Sequence, residues 1–263
     1  MRGDWSMKKF HKRQLFLGGL VAALCCVLYL TGVYHFYQAE EASVSQKPLP
    51  VYSVEIPEKK AALGINCAWD DKDIGIILET LRKKNVKATF FLVGSFCRHY
   101  PQAVKQIADE GHELASHSNT HPDMAKLSQE EILKQLWDSQ EAIHNACGQT
   151  VHLFRSPSGS YNDLVVKTVR NEGWEIVQWD NDTLDWKGCE APALIENGTK
   201  NLRNGSILLL HAGAKHTAEA LPGLIDAIRS KGYELDTIGN LLLPEPYFCD
   251  HTGRQYTAGS RTN

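Results

Sequence analysis

The sequence has no basic surplus: 28 lysines and arginines stand against 31 aspartates and glutamates, for a formal net charge of -3. A protein that grips nucleic acid by its phosphates carries such a surplus, so no nucleic-acid partner is expected. Cysteine is sparse, seven in 263 residues, which rules out a small disulfide scaffold. Internal repeats with a period of roughly 20–50 residues are missing, which excludes solenoids and propellers. Long apolar runs are missing too, with one exception, and a mean hydropathy of -0.32 excludes a polytopic membrane protein. Hydrophobic residues at 43% and charged residues at 22% also exclude wholesale disorder.

The exception is Leu15 to Tyr37, which carries no charge unless His35 takes one. It follows the basic residues Arg2, Lys8, Lys9, Lys12 and Arg13. About 20 apolar residues span a bilayer as a helix, and the basic flank stays cytoplasmic. The expected organisation is a cytoplasmic segment at 1–13, a transmembrane signal anchor at 14–37 and a polar linker at 38–57. A domain at 58–242 and a loose polar tail at 243–263 follow, both extracytoplasmic. The competing reading is a cleaved signal peptide and secretion, but no convincing A-x-A site is present.

Beyond the linker, strand-like and helix-like segments alternate. Strands are expected at 61–66, 86–93, 112–117, 151–154, 174–179 and 206–211, with a last short one at 233–235. Helices are expected at 74–84, 101–110, 128–146, 164–172, 192–202 and 217–231. Repeated βα units with apolar, β-branched strands predict an α/β fold with a parallel sheet, and their number favours a closed barrel. Ligands then bind at the carboxyl ends of the strands. Asn66, His117, Arg155, Trp179 with Asp180, and His211 fall at those ends, polar residues where a packed core would have none.

Four segments carry candidate chemistry. In His117-Ser-Asn-Thr-His121 two imidazoles four residues apart can point the same way, as divalent-metal ligands must, although a third ligand has to come from elsewhere. A pair of surface or N-cap histidines is the alternative. His211 ends the apolar run SILLLH and is a candidate general acid, or else a hydrogen-bonded core histidine. Phe154-Arg155-Ser156-Pro157-Ser158-Gly159 is either a stiff loop whose N–H groups face an oxyanion or an ordinary βα loop. Asp180, Asp182 and Asp185 between Trp179 and Trp186 suit a carbohydrate site, or form an acidic loop beside core tryptophans.

Taken in order, NVKATFFLVG (85–94), GHELASHSNTH (111–121), FRSPSGSYN (154–162), WDNDTLDW (179–186) and LLLHAGAKHTAEALPGLI (208–225) resemble the polysaccharide deacetylases with a NodB homology domain. Within these family-four carbohydrate esterases the chain is most similar to the sporulation-type branch. The resemblance implies a distorted (β/α)7 barrel and metal-dependent hydrolysis of N-acetyl groups on a cell-wall polysaccharide, of the N-acetylglucosamine or muramic acid type. It implies that His117 and His121 bind a divalent metal, zinc or else cobalt or nickel, and that His211 protonates the leaving amine. It further implies that Arg155 orients the base, that the backbone around Ser158 helps bind the oxyanion, and that Asp182 or Asp185 positions Arg155 or the sugar. Leu209 and Trp186 would line the acetyl pocket.

The pattern breaks at the family's first motif, which normally holds a base aspartate and then a metal-ligating aspartate. Here Asn66 and Cys67 stand at those places. An amide accepts no proton as a carboxylate does, and losing a general base typically costs ~10²–10⁴-fold. Cys67, Asp70, Asp71 and Asp73 are the candidates for the third ligand, with an N-cap as the competing role of Asp73. Two functions therefore follow: a membrane-anchored deacetylase, or a glycan-binding pseudoenzyme that keeps the groove without turnover.

Overall fold

A computed structural model describes residues 26–31 and 48–260. The chain divides into two units, 1–47 and 48–263. In the first, residues 26–31 form a short helix with Val27, Leu28, Tyr29 and Leu30 exposed. Among the described residues no helix is long and apolar enough to cross a membrane. The span expected at 14–37 lies outside the described residues apart from that short helix.

The second unit opens with β1 (Ser53–Val54) and β2 (Lys60–Cys67), then α1 (Ile74–Lys83) and β3 (Thr89–Leu92). Two helices follow, α2 (Gly94–His99) and α3 (Pro101–Asp109), then β4 (Glu113–Ser116), α4 (Gln129–Cys147), β5 (Leu153–Phe154) and α5 (Asp163–Asn171). The remainder comprises β6 (Glu175–Ile176), β7 (Asn181–Asp182), α6 (Ala191–Thr199), β8 (Ser206–His211) and α7 (Thr217–Ser230), then β9 (Glu234–Asp236), α8 (Ile238–Leu241), β10 (Tyr247–Cys249) and β11 (Arg254–Thr257). Local rules place several boundaries. Helix α4 starts on a capping box, Ser128 with Glu131, and stops at Gly148 in the left-handed conformation.

The strands run β10-β11-β1-β8-β2-β3-β4-β5-β6, with β7 added on β8 and β9 on β2. From β8 through β2, β3, β4 and β5 to β6 every pairing is parallel. The ring closes through residues 175–182, which pair with β5 at Glu175 and Ile176 and with β8 at Asn181 and Asp182. The expected single strand at 174–179 is thus a strand that changes partner. The break comes where Val51 bridges Val177 and its carbonyl takes the Gln178 N–H at 2.7 Å. The fold is a distorted α/β barrel.

Strand alternation separates two cores. Leu63, Ile65 and Cys67 of β2, Phe90 and Leu92 of β3, and Leu208 and Leu210 of β8 face the helices. Ala62, Phe91, Ala115 and Ile207 fill the barrel interior, and Ile238 and Leu241 of α8 pack there too. The intervening residues Asn66, Leu209 and His211 line a cavity at the carboxyl end.

Part of the tail expected to be loose forms the strands β10 and β11. Strand β11 pairs in parallel with β1 and antiparallel with β10. Its polar residues carry this packing: buried Arg254 bonds Glu55 and the Asn204 carbonyl, and buried Gln255 accepts from Leu243 N–H.

Candidate active site

The register of β2 against β8 sets Asn66 directly beside His211. His117 and Arg155 continue β4 and β5 by one residue, and the Arg155 N–H bonds the Ser116 carbonyl. All four therefore meet at one end of the barrel. The cavity there measures about 260 Å3 and is walled by Asn66, His117, His121, Leu209 and His211, with Ser158, Asp182 and three tryptophans completing it.

Asn66 is held at both ends of its amide. Arg155 Nη1 donates to Oδ1 at 3.0 Å, so the amide nitrogen faces His211 Nε2 at 3.4 Å. His211 Nδ1 donates to Asp185 at 2.8 Å, which leaves Nε2 to accept from Asn66. Asp185 also accepts the His211 and Trp186 backbone N–H groups and the Thr217 hydroxyl. It is 2% exposed, with its oxygens fully engaged. The sugar contact and the Arg155 contact implied for Asp185 are therefore corrected: it orients His211. Asp182 does line the cavity, but its partners are the Leu184 N–H and the Trp186 indole, so it too stays clear of Arg155.

Arg155 is fully buried. Its guanidinium lies 3.9 Å from the Phe91 ring centre and donates to the carbonyls of Gly64 and Gln178. It crosses the barrel over Gly64, where a Cβ would come within 2.4 Å of Nη2. No carboxylate bonds it among the described residues, and Nε has no partner. Burial pushes its pKa down to about 9.

The two histidines sit in a tight loop rather than a helical turn. Ser118 and His121 have φ of 67° and 60°, and Gln135 Oε1 accepts the Asn119 and Thr120 N–H groups. The imidazoles stand edge to face with ring centres 5.0 Å apart. His117 Nδ1 donates to the Arg155 carbonyl at 2.7 Å, which leaves Nε2 free as a ligand. Burial, with the neighbouring ring, holds the His117 pKa well below its ordinary value, and burial lowers that of His121. Ser158 is exposed at φ 54° on the cavity rim. Sequence reasoning missed Gln178, whose carbonyl holds Arg155, and Trp69, which stacks on His211. Trp69 stands two residues beyond β2, a position that could have marked it.

The family model for polysaccharide deacetylase matches residues 57–177. A peptidoglycan-N-acetylglucosamine deacetylase of Bacillus cereus is 30% identical over 203 residues, covering 74% of this chain and 95% of that protein. The chain belongs to the polysaccharide deacetylase family. The relatives named as deacetylases are hydrolases acting on carbon–nitrogen bonds other than peptide bonds. The uncharacterized protein YlxY of Bacillus subtilis is 37% identical over 75% of this chain, which spans 62% of YlxY. A solved CE4 family pseudoenzyme from Bacillus anthracis superposes with a TM-score of 0.71 at 37% identity, covering 74% of this chain and 69% of that one. A mutant of it with restored enzymatic activity superposes with the same score and identity, and 72% of its chain is covered.

Family membership implies a metal, and this donor set fits one poorly. His117 and His121 suit imidazole ligands, but a catalytic site needs a third protein ligand. Cys67 is corrected as a candidate: strand alternation turns it away from the cavity into the helix-side core, where burial raises its thiol pKa. Asp70 is tied to Lys72 at 2.6 Å. Asp73 stands at the N-cap position of α1 without capping it, and takes the Gly213 N–H on both oxygens instead. Among the described residues no group of three metal-binding side chains converges.

Proposed function

We propose that this chain is a glycan-binding member of the family, extracytoplasmic and anchored through residues 14–37, in which the hydrolytic step is switched off at Asn66. One observation carries this reading. The amide of Asn66 is oriented by Arg155 so that its nitrogen, a donor, points at His211 Nε2. A family base at this place must accept a proton from water, and a donor accepts none. The cavity itself is retained, with Leu209, Trp186 and Trp179 offering apolar surface for an acetylated sugar. The ligand class is cell-wall glycan with N-acetyl groups, on glucosamine or muramic acid. The likeness to a solved family pseudoenzyme supports the same reading.

A second reading, a slow deacetylase, draws on the His211–Asp185 pair and the two loop histidines. Acetate release from an N-acetylglucosamine oligomer and from peptidoglycan, with added zinc or cobalt, separates the two. Wild type is expected to release none above the buffer rate, and Asn66→Asp, which returns the base but no third metal ligand, to gain less than the ~10²–10⁴-fold that a general base supplies in a complete site. Chelator-sensitive release by wild type would establish the deacetylase instead.

A further inference from the structure

A second cavity, about 460 Å3, is lined by residues of α2 and α4 and shares none of them with the central one. The loop 117–121 borders both: His117 and His121 wall the central cavity, and Asn119 walls this groove. On α4, Asp138, Glu141, Ala142 and Ala146 recur at helical spacing, so one face of the helix turns to the groove. The small side chains of Ala142 and Ala146 leave the space unfilled. From α2, Arg98 Nη2 donates to Asn119 Oδ1 at 2.7 Å, and Asn119 Nδ2 donates to Asp138 Oδ2 at 3.1 Å. The amide thus stands between cation and carboxylate and takes the place of a direct ion pair. Lys134 bonds that same Asp138 oxygen at 2.9 Å, which leaves Oδ1 open. Among the described residues Arg98 has no carboxylate partner and Glu141 no cationic one, and both are exposed.

Small-ligand sites occupy about 300–1,000 Å3, and this groove falls within that range. Its walls complement a ligand with two charges. The Arg98 fork, open at Nη1 and Nε, matches a carboxylate. Glu141 and the open oxygen of Asp138 match an ammonium, which only donates. A neutral sugar offers neither charge, and a single ion satisfies one wall while the other repels it. A short peptide with a free carboxylate and a lysine-like side chain satisfies both. Cell-wall glycan bears peptides of that kind on its muramic acid. A sugar in the central cavity and the peptide attached to it would lie on the two sides of the one loop. Resting on the glycan-binding reading above, we infer that this groove binds the peptide branch of a cell-wall glycan, with Arg98 taking a carboxylate and Glu141 and Asp138 an ammonium.

The test titrates the full chain by calorimetry with a lysine-containing N-acetylmuramoyl peptide, with the same compound amidated at its carboxylates or acetylated at its ammonium, with free lysine, and with the N-acetylglucosamine tetramer. In wild type, amidation and acetylation are each expected to weaken binding about fivefold, as the loss of a partly exposed charge pair does. In Arg98→Gln amidation should cost less than twofold, and in Glu141→Gln acetylation should cost less than twofold. Both variants should bind the tetramer as wild type does, which shows that they fold. Equal costs in wild type and variants overturn the assignment of the two charges, and free lysine binding as tightly as the muramoyl peptide overturns the glycan branch as its source. A wild type that binds the tetramer but is indifferent to amidation and acetylation overturns the groove and leaves the glycan-binding reading standing. A wild type that binds neither the tetramer nor the muramoyl peptide overturns that reading, and the inference with it.

Discussion

At the scale of single residues, Asn66 and Arg155 form an unusual couple. A fully buried guanidinium here meets carbonyls, an aromatic face and an amide, but no carboxylate among the described residues. A buried cation without a counter-charge is costly, which is why its pKa falls. Placing a carboxylate at residue 66 ordinarily would destabilise a site that is 4% exposed. At this position it gives Arg155 a charged acceptor, and hydrogen bonds to charged groups contribute about 1.5–3 kcal/mol against about 1 for neutral ones. Asn66→Asp is therefore expected to raise the melting temperature by roughly 2–4 °C, on the scale of 1 kcal/mol in a domain this size. Differential scanning calorimetry at neutral pH checks this; a lower melting temperature would show that the carboxylate's desolvation outweighs the ion pair.

At the scale of elements, the end of β2 decides what can be rebuilt. Alternation sends Asn66 inward and Cys67 outward, among Leu92, Val93 and Cys97 of the helix-side core. Restoring the family's second aspartate as Cys67→Asp puts a carboxylate into apolar surroundings, at an expected cost of about 3 kcal/mol or more. A thermal melt should fall by at least ~6 °C, whereas Cys67→Val should melt near wild type; an unperturbed Cys67→Asp would mean that the strand end swings toward the cavity. The same alternation explains what was legible beforehand. Strands β2 and β8 are long apolar runs ending in polar residues, so their extents and the Asn66, His117, Arg155 and His211 cluster could be read directly. Helix α2 was hidden because it has only six residues and starts on glycine. The roles of Asp185 and Trp69 were hidden because each depends on a contact from β8 onto a distant loop, to His211 in both cases.

At the scale of the molecule, the C-terminal segment reaches the site through the backbone. Strand β11 holds the lead-in to β1: the Gly253 carbonyl accepts Tyr52 N–H and the Gln255 carbonyl accepts Glu55 N–H, both at 2.8 Å. That lead-in supplies Val51, whose carbonyl takes the Gln178 N–H, and the Gln178 carbonyl in turn accepts from Arg155. Without β11, β1 keeps one paired residue on β8, Ser53 against Ser206. Deleting residues 244–263 also removes Arg254, the partner of Glu55. The truncated chain is expected to melt well below the full chain and to become cleavable by protease within residues 48–57, the segment that β11 clamps. If it melts like the full chain and resists cleavage there, the hairpin is ornamental and Arg155 is held by the barrel alone.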